Sequence, residues 1–177
     1  MTYKNGDYKR YFTVDENRVF GFFEQFRFLS NFHECEVWWD GLIWPSSEHA
    51  YMAAKCKYRD YHGFDMEPSY DKVKHSHICE MPCSQVKKWG QTVKLKDDWE
   101  EIKVDTMYEI CYSKFTKNPD LKQKLLDTGD RELIESNNWN DSFWGYDVDK
   151  QRGRNELGKI LMKIRGYLKL ESILDES

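Results

Sequence analysis

Long apolar runs, internal repeats and low-complexity tracts are all missing from this sequence of 177 residues. Without a run of 18 apolar residues we expect no membrane span. The charged N-terminal segment MTYKNGDYKRYF lacks the apolar stretch of a secretory signal. The five cysteines are odd in number and scattered, which favours reduced thiols and a cytoplasmic location. Only four prolines interrupt the chain and no flexible linker divides it, so a single domain is expected.

A basic excess is also missing, because 27 Lys and Arg residues face 31 Asp and Glu residues for a net charge of -4. Long-range attraction to nucleic-acid phosphates is therefore not indicated. The motifs of P-loop proteins, dinucleotide-binding folds, α/β-hydrolases and zinc proteases are absent as well. Aromatic residues, in contrast, make up 16% of the chain, which favours a binding cleft walled by rings.

The N-terminal part of the chain predicts a polar segment followed by short strands. Residues 1–17 are expected to form a loose arm, and residues 18–177 to form the domain. Residues 19–24 (VFGFFE) predict a strand. The segment EVWW-DG-LIW predicts a β-hairpin, since Asp40-Gly41 suits a tight turn between two apolar arms.

Helices dominate the rest of the chain. Ser46 or Ser47 is a suitable cap for a helix that runs to about Lys57. Residues 58–81 are polar and predict irregular structure. Further predicted elements are a short helix between Pro82 and Gly90, helices near 98–117, 121–126 and 155–170, and an extended piece at 132–135. The predicted fold class is α+β, predominantly helical, with a small antiparallel sheet.

Glu48 and Lys55 form the first chemical pair, because they lie seven residues apart on one predicted helix. Seven residues turn about 700°, which places both side chains within about 20° of one face and about 10.5 Å apart along the axis. This separation suits a small ligand between an acid and an amine. On spacing alone an ordinary solvated face is favoured, because a glutamate in a first turn and a lysine in a last turn also complement the helix dipole.

Two loops offer polar groups for ligand binding. In NDSFWGYDVDKQRGRNELG, flexible backbone ahead of a helix carries Asp141, Trp144, Gly145 and Asn155. Asn155 either caps that helix or holds a ligand hydroxyl. In RFLSNF, the pair Ser30-Asn31 either satisfies the loop backbone or faces a pocket. Taken alone, both segments are typical of ordinary loops.

The segment HSHICEMPC contains four residues of zinc-ligand type, namely His75, His77, Cys79 and Cys83. Their spacing matches no standard zinc finger, and free buried cysteines are common. A metal site is therefore the less favoured interpretation, and metal analysis of the purified protein would test it.

In their order along the chain, these motifs resemble the NADAR (YbiA-like) family from about Phe20 to Leu168. The resemblance is carried by FLSNF, a DG turn, WPSSEHAYMAAK, DW, KF, TGDRELIES, an acidic residue before WG, and GRNELGKILMKIR. No single piece is decisive, but the ordered set is specific. The resemblance implies a single YbiA-like domain and an N-glycosidase that acts on ribosyl-linked substrates.

Two substrate groups follow from the resemblance: phosphorylated ribosylamino-pyrimidine intermediates of riboflavin synthesis, and ADP-ribose attached to guanine bases of nucleic acid. It implies no metal or other cofactor, no membrane and no obligate protein partner. It assigns catalysis to Glu48, Lys55 and Asp141. It places Asn31, Trp99, Glu135, Trp144, Gly145 and Asn155 around the substrate. A non-catalytic ADP-ribose or nucleotide-binding module is the alternative, and a purely structural domain is the third interpretation.

Cleavage of an N-glycosidic bond develops positive charge on C1′ and negative charge on the leaving nitrogen. We expect Glu48 to transfer the proton and Asp141 to stabilise the ribose, with the reverse order also open. Lys55 has two open roles: a cation that holds a phosphate or hydroxyl, or a neutral amine that forms a Schiff base with C1′. The second role needs a lowered lysine pKa. Trp144 and Trp99 are expected to stack on the base or the sugar.

Two departures from the family pattern predict a shifted substrate preference. Gln91 stands where many members have an arginine, so one phosphate contact is expected to be lost. Asp147 and Asp149 follow WG where many members have a second glycine, so a more acidic rim is expected.

Overall fold

The strands are short and lie in three groups in the computed structural model, which describes residues 10–56 and 72–175. The strands are β1 (Thr13–Val14), β2 (Arg18–Phe20), β3 (Val37–Trp39), β4 (Leu42–Trp44), β5 (Glu132–Ile134), β6 (Ser136–Asn137) and β7 (Tyr146–Asp147). The β3–β4 pair is the predicted antiparallel hairpin, and β1–β2 is a second antiparallel pair, whereas β2–β5 and β6–β7 are parallel. Parallel pairing of β2 with β5 is possible because a long helical connection separates them in the chain.

The described residues contain six α-helices, which confirms the predominantly helical α+β class. They are α1 (Ser47–Ala54), α2 (Lys72–Glu80), α3 (Cys83–Gly90), α4 (Trp99–Lys117), α5 (Pro119–Leu126) and α6 (Glu156–Asp175). One core joins them to the strands, and fully buried side chains include Leu29, Trp44, Ile110, Phe115, Leu133, Leu161 and Leu168. Within residues 10–56 and 72–175 no helix combines the length and apolarity needed to cross a bilayer.

Several local predictions are confirmed. Asp40 and Gly41 have φ angles of 52° and 74°, which is the backbone of a tight hairpin turn. The hydroxyl of Ser46 caps α1 by accepting a hydrogen bond from the His49 N–H at 3.3 Å. The helix ends at Ala54, earlier than predicted, because Cys56 forms a β-bridge with Leu95.

Other segments differ from their predictions. The residues 11–14, which the sequence assigns to a loose arm, belong to the domain: Tyr11 is buried, its carbonyl accepts a hydrogen bond from the Ser136 hydroxyl, and β1 pairs with β2. Of the segment 58–81, which predicts irregular structure, residues 72–80 form α2. Residues 58–71 of that segment, and residues 1–9 of the arm, lie outside the described residues.

Candidate active site

The carboxyl group of Glu48 is buried in the first turn of α1, where the side chain is only 5% exposed. The Glu48 N–H donates to the Asn31 carbonyl at 3.0 Å, which fixes the residue against the loop after the 3₁₀ helix Glu24–Leu29. No group of the described residues forms a hydrogen bond with Oε1. Burial raises the pKa of Glu48 to about 7, Asp141 acts in the same direction, and Lys87 and Lys55 oppose it. A carboxyl group of this kind can give up a proton near neutral pH.

The amine of Lys55 lies immediately after the last turn of α1 and is half-buried. No carboxylate of the described residues lies within 4.0 Å of it. Burial lowers the pKa of Lys55 and Lys87 adds to the effect, whereas Glu48 and Cys56 oppose it. Gly90 of α3 makes room for this side chain, since a Cβ there would lie 3.1 Å from Lys55 Cε.

Asp141 and Glu135 belong to a distant part of the sequence but influence Glu48 electrostatically or are influenced by it. Asp141 Oδ1 accepts hydrogen bonds from the N–H groups of Phe143 at 3.2 Å and Trp144 at 2.9 Å. Burial raises the pKa of Glu135 to about 8, and Asp141 and Glu48 add to the increase. The structure thus brings Glu48, Lys55, Glu135 and Asp141 into one electrostatically coupled cluster.

Aromatic rings flank this cluster. Tyr51 of α1 lies between Trp99, with ring centroids 5.1 Å apart, and Trp144, at 5.4 Å. Burial raises the pKa of the Tyr51 hydroxyl, and the carboxyl groups of Glu48 and Asp141 act in the same direction. Sequence reasoning missed Tyr51, although its position three residues after Glu48 and four before Lys55 places it on their face of the helix.

Asn31 contributes to the site by holding the backbone of α1. Its side chain is directed at α4, where it contacts Met107 Sδ at 3.4 Å and Cys111 Sγ at 3.8 Å. The neighbouring Ser30 carbonyl accepts a hydrogen bond from the fully buried Lys114 at 2.8 Å. These contacts fix the loop whose Asn31 carbonyl receives the Glu48 N–H. Contact of Asn31 with the substrate stays a prediction.

The side chain of Asn155 does not cap α6 but links the end of β5 to the start of that helix. Its Nδ2 donates to the Leu133 carbonyl at 2.8 Å, and its Oδ1 accepts from the Glu135 N–H at 3.0 Å. Gly145 is required nearby, because a Cβ there would lie 2.4 Å from the Glu135 carbonyl oxygen. Both residues therefore position Glu135, and their contact with the substrate stays a prediction.

Replacement of Gly158 in α6 tests this link between Asn155 and the end of β5. A Cβ at Gly158 would lie 2.0 Å from the Leu133 carbonyl oxygen and 2.5 Å from both polar atoms of the Asn155 side chain. Gly158→Ala is therefore expected to lower the free energy of unfolding by about 1–3 kcal/mol. In the same helix, Gly166→Ala meets nothing within 4 Å and is expected to raise it by about 0.5–1 kcal/mol. Urea unfolding measures the free energy of unfolding of both variants. Equal stabilisation by the two substitutions would contradict the close packing of Gly158 against Leu133 and Asn155.

The buried Glu48 also predicts a pH-dependent stability. Because its pKa rises from 4.5 to about 7 on folding, its contribution is fully present below pH 4.5 and is lost as pH rises through 7. A shift of this size corresponds to roughly 3 kcal/mol. Between pH 5 and pH 9 the wild-type free energy of unfolding should fall by about this amount relative to Glu48→Gln. A difference that does not change with pH in urea titrations would show that this carboxyl is not buried.

Lys87 of α3 is the charged residue that sequence reasoning missed. Its Nζ lies 5.6 Å from the ring centroids of both Phe32 and Trp139. It opposes the raised pKa of Glu48 more strongly than Lys55 does. The sequence contains one indication of this role. Lys87 lies three residues before Gly90, on the face of α3 that packs beside α1.

The histidines and cysteines of the segment 75–83 make ordinary structural contacts. His75 Nε2 donates to the Ile43 carbonyl at 2.9 Å, and Cys79 Sγ lies 3.4 Å from the same nitrogen. Cys83 Sγ lies 3.3 Å from the Ser46 hydroxyl. Within residues 10–56 and 72–175, no three potential ligand side chains are grouped for a metal ion.

The two departures from the family pattern have different structural outcomes. Gln91 is exposed and follows α3 directly. Asp147 is 2% exposed and caps a turn by accepting hydrogen bonds from the N–H groups of Asp149 and Lys150, both at 3.0 Å. The expectation of a more acidic rim is therefore wrong for Asp147, because its carboxylate is used within the loop. Asp149 is exposed and pairs with Arg10 at 3.6 Å.

Comparisons with known proteins find a family and several named relatives. A family model described as NADAR domain matches residues 11–169. The chain is 38% identical over 145 residues to a riboflavin biosynthesis protein of Vibrio vulnificus, covering 82% of the chain but only 36% of that longer protein. It is 32% identical over 139 residues to an N-glycosidase of Nostoc punctiforme, covering 77% of the chain and 82% of the relative. The N-glycosidase YbiA of Escherichia coli is 29% identical over 143 residues, with 81% and 82% covered.

The fold is also found among solved structures. The NMR structure of YbiA from E. coli superposes with a TM-score of 0.71 and covers 92% of this chain and 91% of its own. At 24% sequence identity this likeness concerns the fold alone.

Proposed function

Because the chain belongs to the NADAR domain family, we propose that it is an N-glycosidase that hydrolyses the bond between a ribosyl C1′ and a nitrogen. The observation that carries the proposal is the pairing of two unusual groups on one helix. Glu48 presents a buried carboxyl oxygen without a hydrogen-bond partner among the described residues. Lys55 presents an amine that no carboxylate of the described residues neutralises. An acid and an amine in this state match the proton transfer and the nucleophilic attack that the reaction needs.

The proposed reaction assigns one role to each group. The Lys55 amine attacks C1′, and the C1′–N bond to the base breaks as its electron pair leaves with the nitrogen. Glu48 donates its proton to that nitrogen. As the sugar ring opens, O4′ takes one proton from the new C1′–ammonium and a protonated Schiff base forms. Water adds to C1′ and expels the lysine, which releases the sugar aldehyde, restores the neutral amine and returns one proton to Glu48. The lowered pKa of Lys55 supports this route over a purely cationic role.

Asp141 and the aromatic rings orient the substrate in this proposal. Among the described residues, the Phe143 and Trp144 N–H groups both donate to Oδ1 of Asp141, and we assign Oδ2 to the ribose hydroxyls or to the charge that develops on the sugar. The Trp144 ring offers a face or edge for the base, while Trp99 supports Tyr51 behind it. The reaction as written uses no metal or other cofactor.

The substrate belongs to one of two groups that share this bond. One group is the phosphorylated ribosylamino-pyrimidines, in agreement with the name of the Vibrio relative. The other is ADP-ribose attached to guanine in nucleic acid. A non-catalytic nucleotide reader is not favoured, since relatives that match along most of their length are named N-glycosidases.

Product analysis by mass spectrometry tests the function. The protein is incubated in separate reactions with a ribosylamino-pyrimidine phosphate and with an ADP-ribosylated guanine oligonucleotide. Release of ribose phosphate in the first reaction, or of ADP-ribose in the second, is the expected result. Failure to cleave either substrate, with folding confirmed by circular dichroism, would contradict the proposal.

We propose a cytoplasmic location because the five cysteines are odd in number and scattered along the chain, as is usual for reduced thiols. The proposed partner is the substrate alone, and no membrane or obligate protein partner enters the reaction. Fractionation of cells that produce the protein would test the location.

A further inference from the structure

The ammonium group of Lys87 contacts two loops beside the candidate site, one through Phe32 and one through Trp139. On one side, Phe32 follows Asn31, whose carbonyl receives the Glu48 N–H. On the other side, Trp139 lies two residues before Asp141. Cation–π contacts with both rings hold the ammonium at this junction. Lys87 therefore lies beside both the loop that anchors Glu48 and the loop that carries Asp141.

No fixed counterion balances Lys87 within the described residues. No carboxylate there lies within 4.0 Å of its Nζ. It acts electrostatically on groups of the site itself, namely Glu48, Lys55 and Glu135. The two rings lower the cost of partial burial without supplying negative charge.

The protonation of the neighbouring carboxyl groups leaves the positive charge available. Burial raises the pKa of Glu48 to about 7 and that of Glu135 to about 8, so both groups hold a proton for much of the time near neutral pH. The site then favours an anionic ligand. A lysine ammonium is a compact point charge that suits a phosphate oxygen.

We propose that Lys87 binds a phosphate group of the substrate and makes the site selective for phosphorylated ribosyl compounds over their unphosphorylated forms. The inference rests on the proposed function, because it places the sugar of the same substrate between Glu48 and Lys55. Exposed Gln91 carries no charge, so the phosphate contact on α3 passes to Lys87, one helical turn earlier. The Lys55 amine then remains available to attack C1′.

Binding of simple sugars tests this assignment without any turnover. Ribose 5-phosphate and ribose are titrated into wild type, Lys87→Gln and the control Lys88→Gln by calorimetry. Lys88 is the next residue on α3 but is exposed. We expect the wild type to bind ribose 5-phosphate at least about 10-fold more tightly than ribose, and Lys87→Gln to lose that difference. Equal affinities for the two sugars in the wild type, or an unchanged difference in Lys87→Gln, would overturn the inference.

Kinetics with a ribosylamino-pyrimidine and its 5′-phosphate separate this inference from the proposed function. For the phosphorylated substrate, Lys87→Gln should lower kcat/KM by about 10- to 100-fold, mainly through KM. For the unphosphorylated substrate the loss should be about 10-fold smaller, because only the effect of Lys87 on the pKa of Glu48 is then removed. Equal losses on both substrates would overturn the inference while the function stands. Selective binding of ribose 5-phosphate without hydrolysis of either substrate would refute the function and leave the phosphate site in place.

Discussion

Glu48→Gln is expected to lower the catalytic rate by about 10²–10⁴-fold, the range that general acid catalysis contributes. The amide is nearly isosteric with the carboxyl group but has no proton to donate at neutral pH. The fold is expected to persist, since the Ser46 cap and the contact of the Glu48 N–H with the Asn31 carbonyl do not involve the replaced carboxyl. Single-turnover kinetics with circular dichroism of the same samples measures both effects.

The pH profile identifies the role of Glu48 more directly than the rate alone. A general acid must be protonated, so wild-type kcat/KM should fall as pH rises through about 7, where the buried Glu48 carboxyl titrates. Glu48→Gln should lose this limb of the profile. The matched control is Glu109→Gln, which removes an exposed carboxyl from α4 and should leave the profile unchanged. Full activity in Glu48→Gln would remove Glu48 from the mechanism.

Lys55→Met is expected to lower the rate by on the order of 10³-fold or more, because it removes the proposed nucleophile. Methionine preserves much of the aliphatic stem beside Gly90, so the packing between α1 and α3 should remain. Steady-state and single-turnover rates of the refolded or native variant, compared with its thermal stability, measure this effect.

Lys55→Arg separates the two roles that the sequence leaves open. Arginine keeps the positive charge but does not supply a neutral amine, because its pKa lies far above the working range. If Lys55 attacks C1′, Lys55→Arg should be as inactive as Lys55→Met. Recovery of a large part of the activity in Lys55→Arg would instead assign Lys55 to binding an anion or a hydroxyl.

The elements that sequence reasoning predicted are those with local causes. The Asp40-Gly41 turn needs only two residues with positive φ, and the start of α1 needs only the hydroxyl of Ser46. The parallel pairing of Val19 with Leu133 joins positions far apart in the chain, and no local pattern announces it. The same is true of Tyr11, a buried residue whose hydroxyl accepts a hydrogen bond from the distant Asn138 side chain.

For the candidate site too, the local sequence predicts some features, while others appear only in the folded chain. Helical spacing placed Glu48 and Lys55 on one face, but it did not reveal that burial shifts both pKa values toward neutrality. That shift depends on α3 and on the loop around Asp141, which only the folded chain brings near α1. Lys87 was missed because its importance comes from Phe32 and Trp139, on two distant segments.

Borohydride reduction during turnover tests most directly whether the acid and the amine meet at C1′. The reagent converts a Schiff base between lysine and sugar into a stable secondary amine, which peptide mass mapping then locates. The account predicts a reduced sugar on Lys55 in the wild type and none in Lys55→Arg. An unmodified wild-type protein under productive turnover, or an adduct on a different lysine such as Lys87, would contradict it.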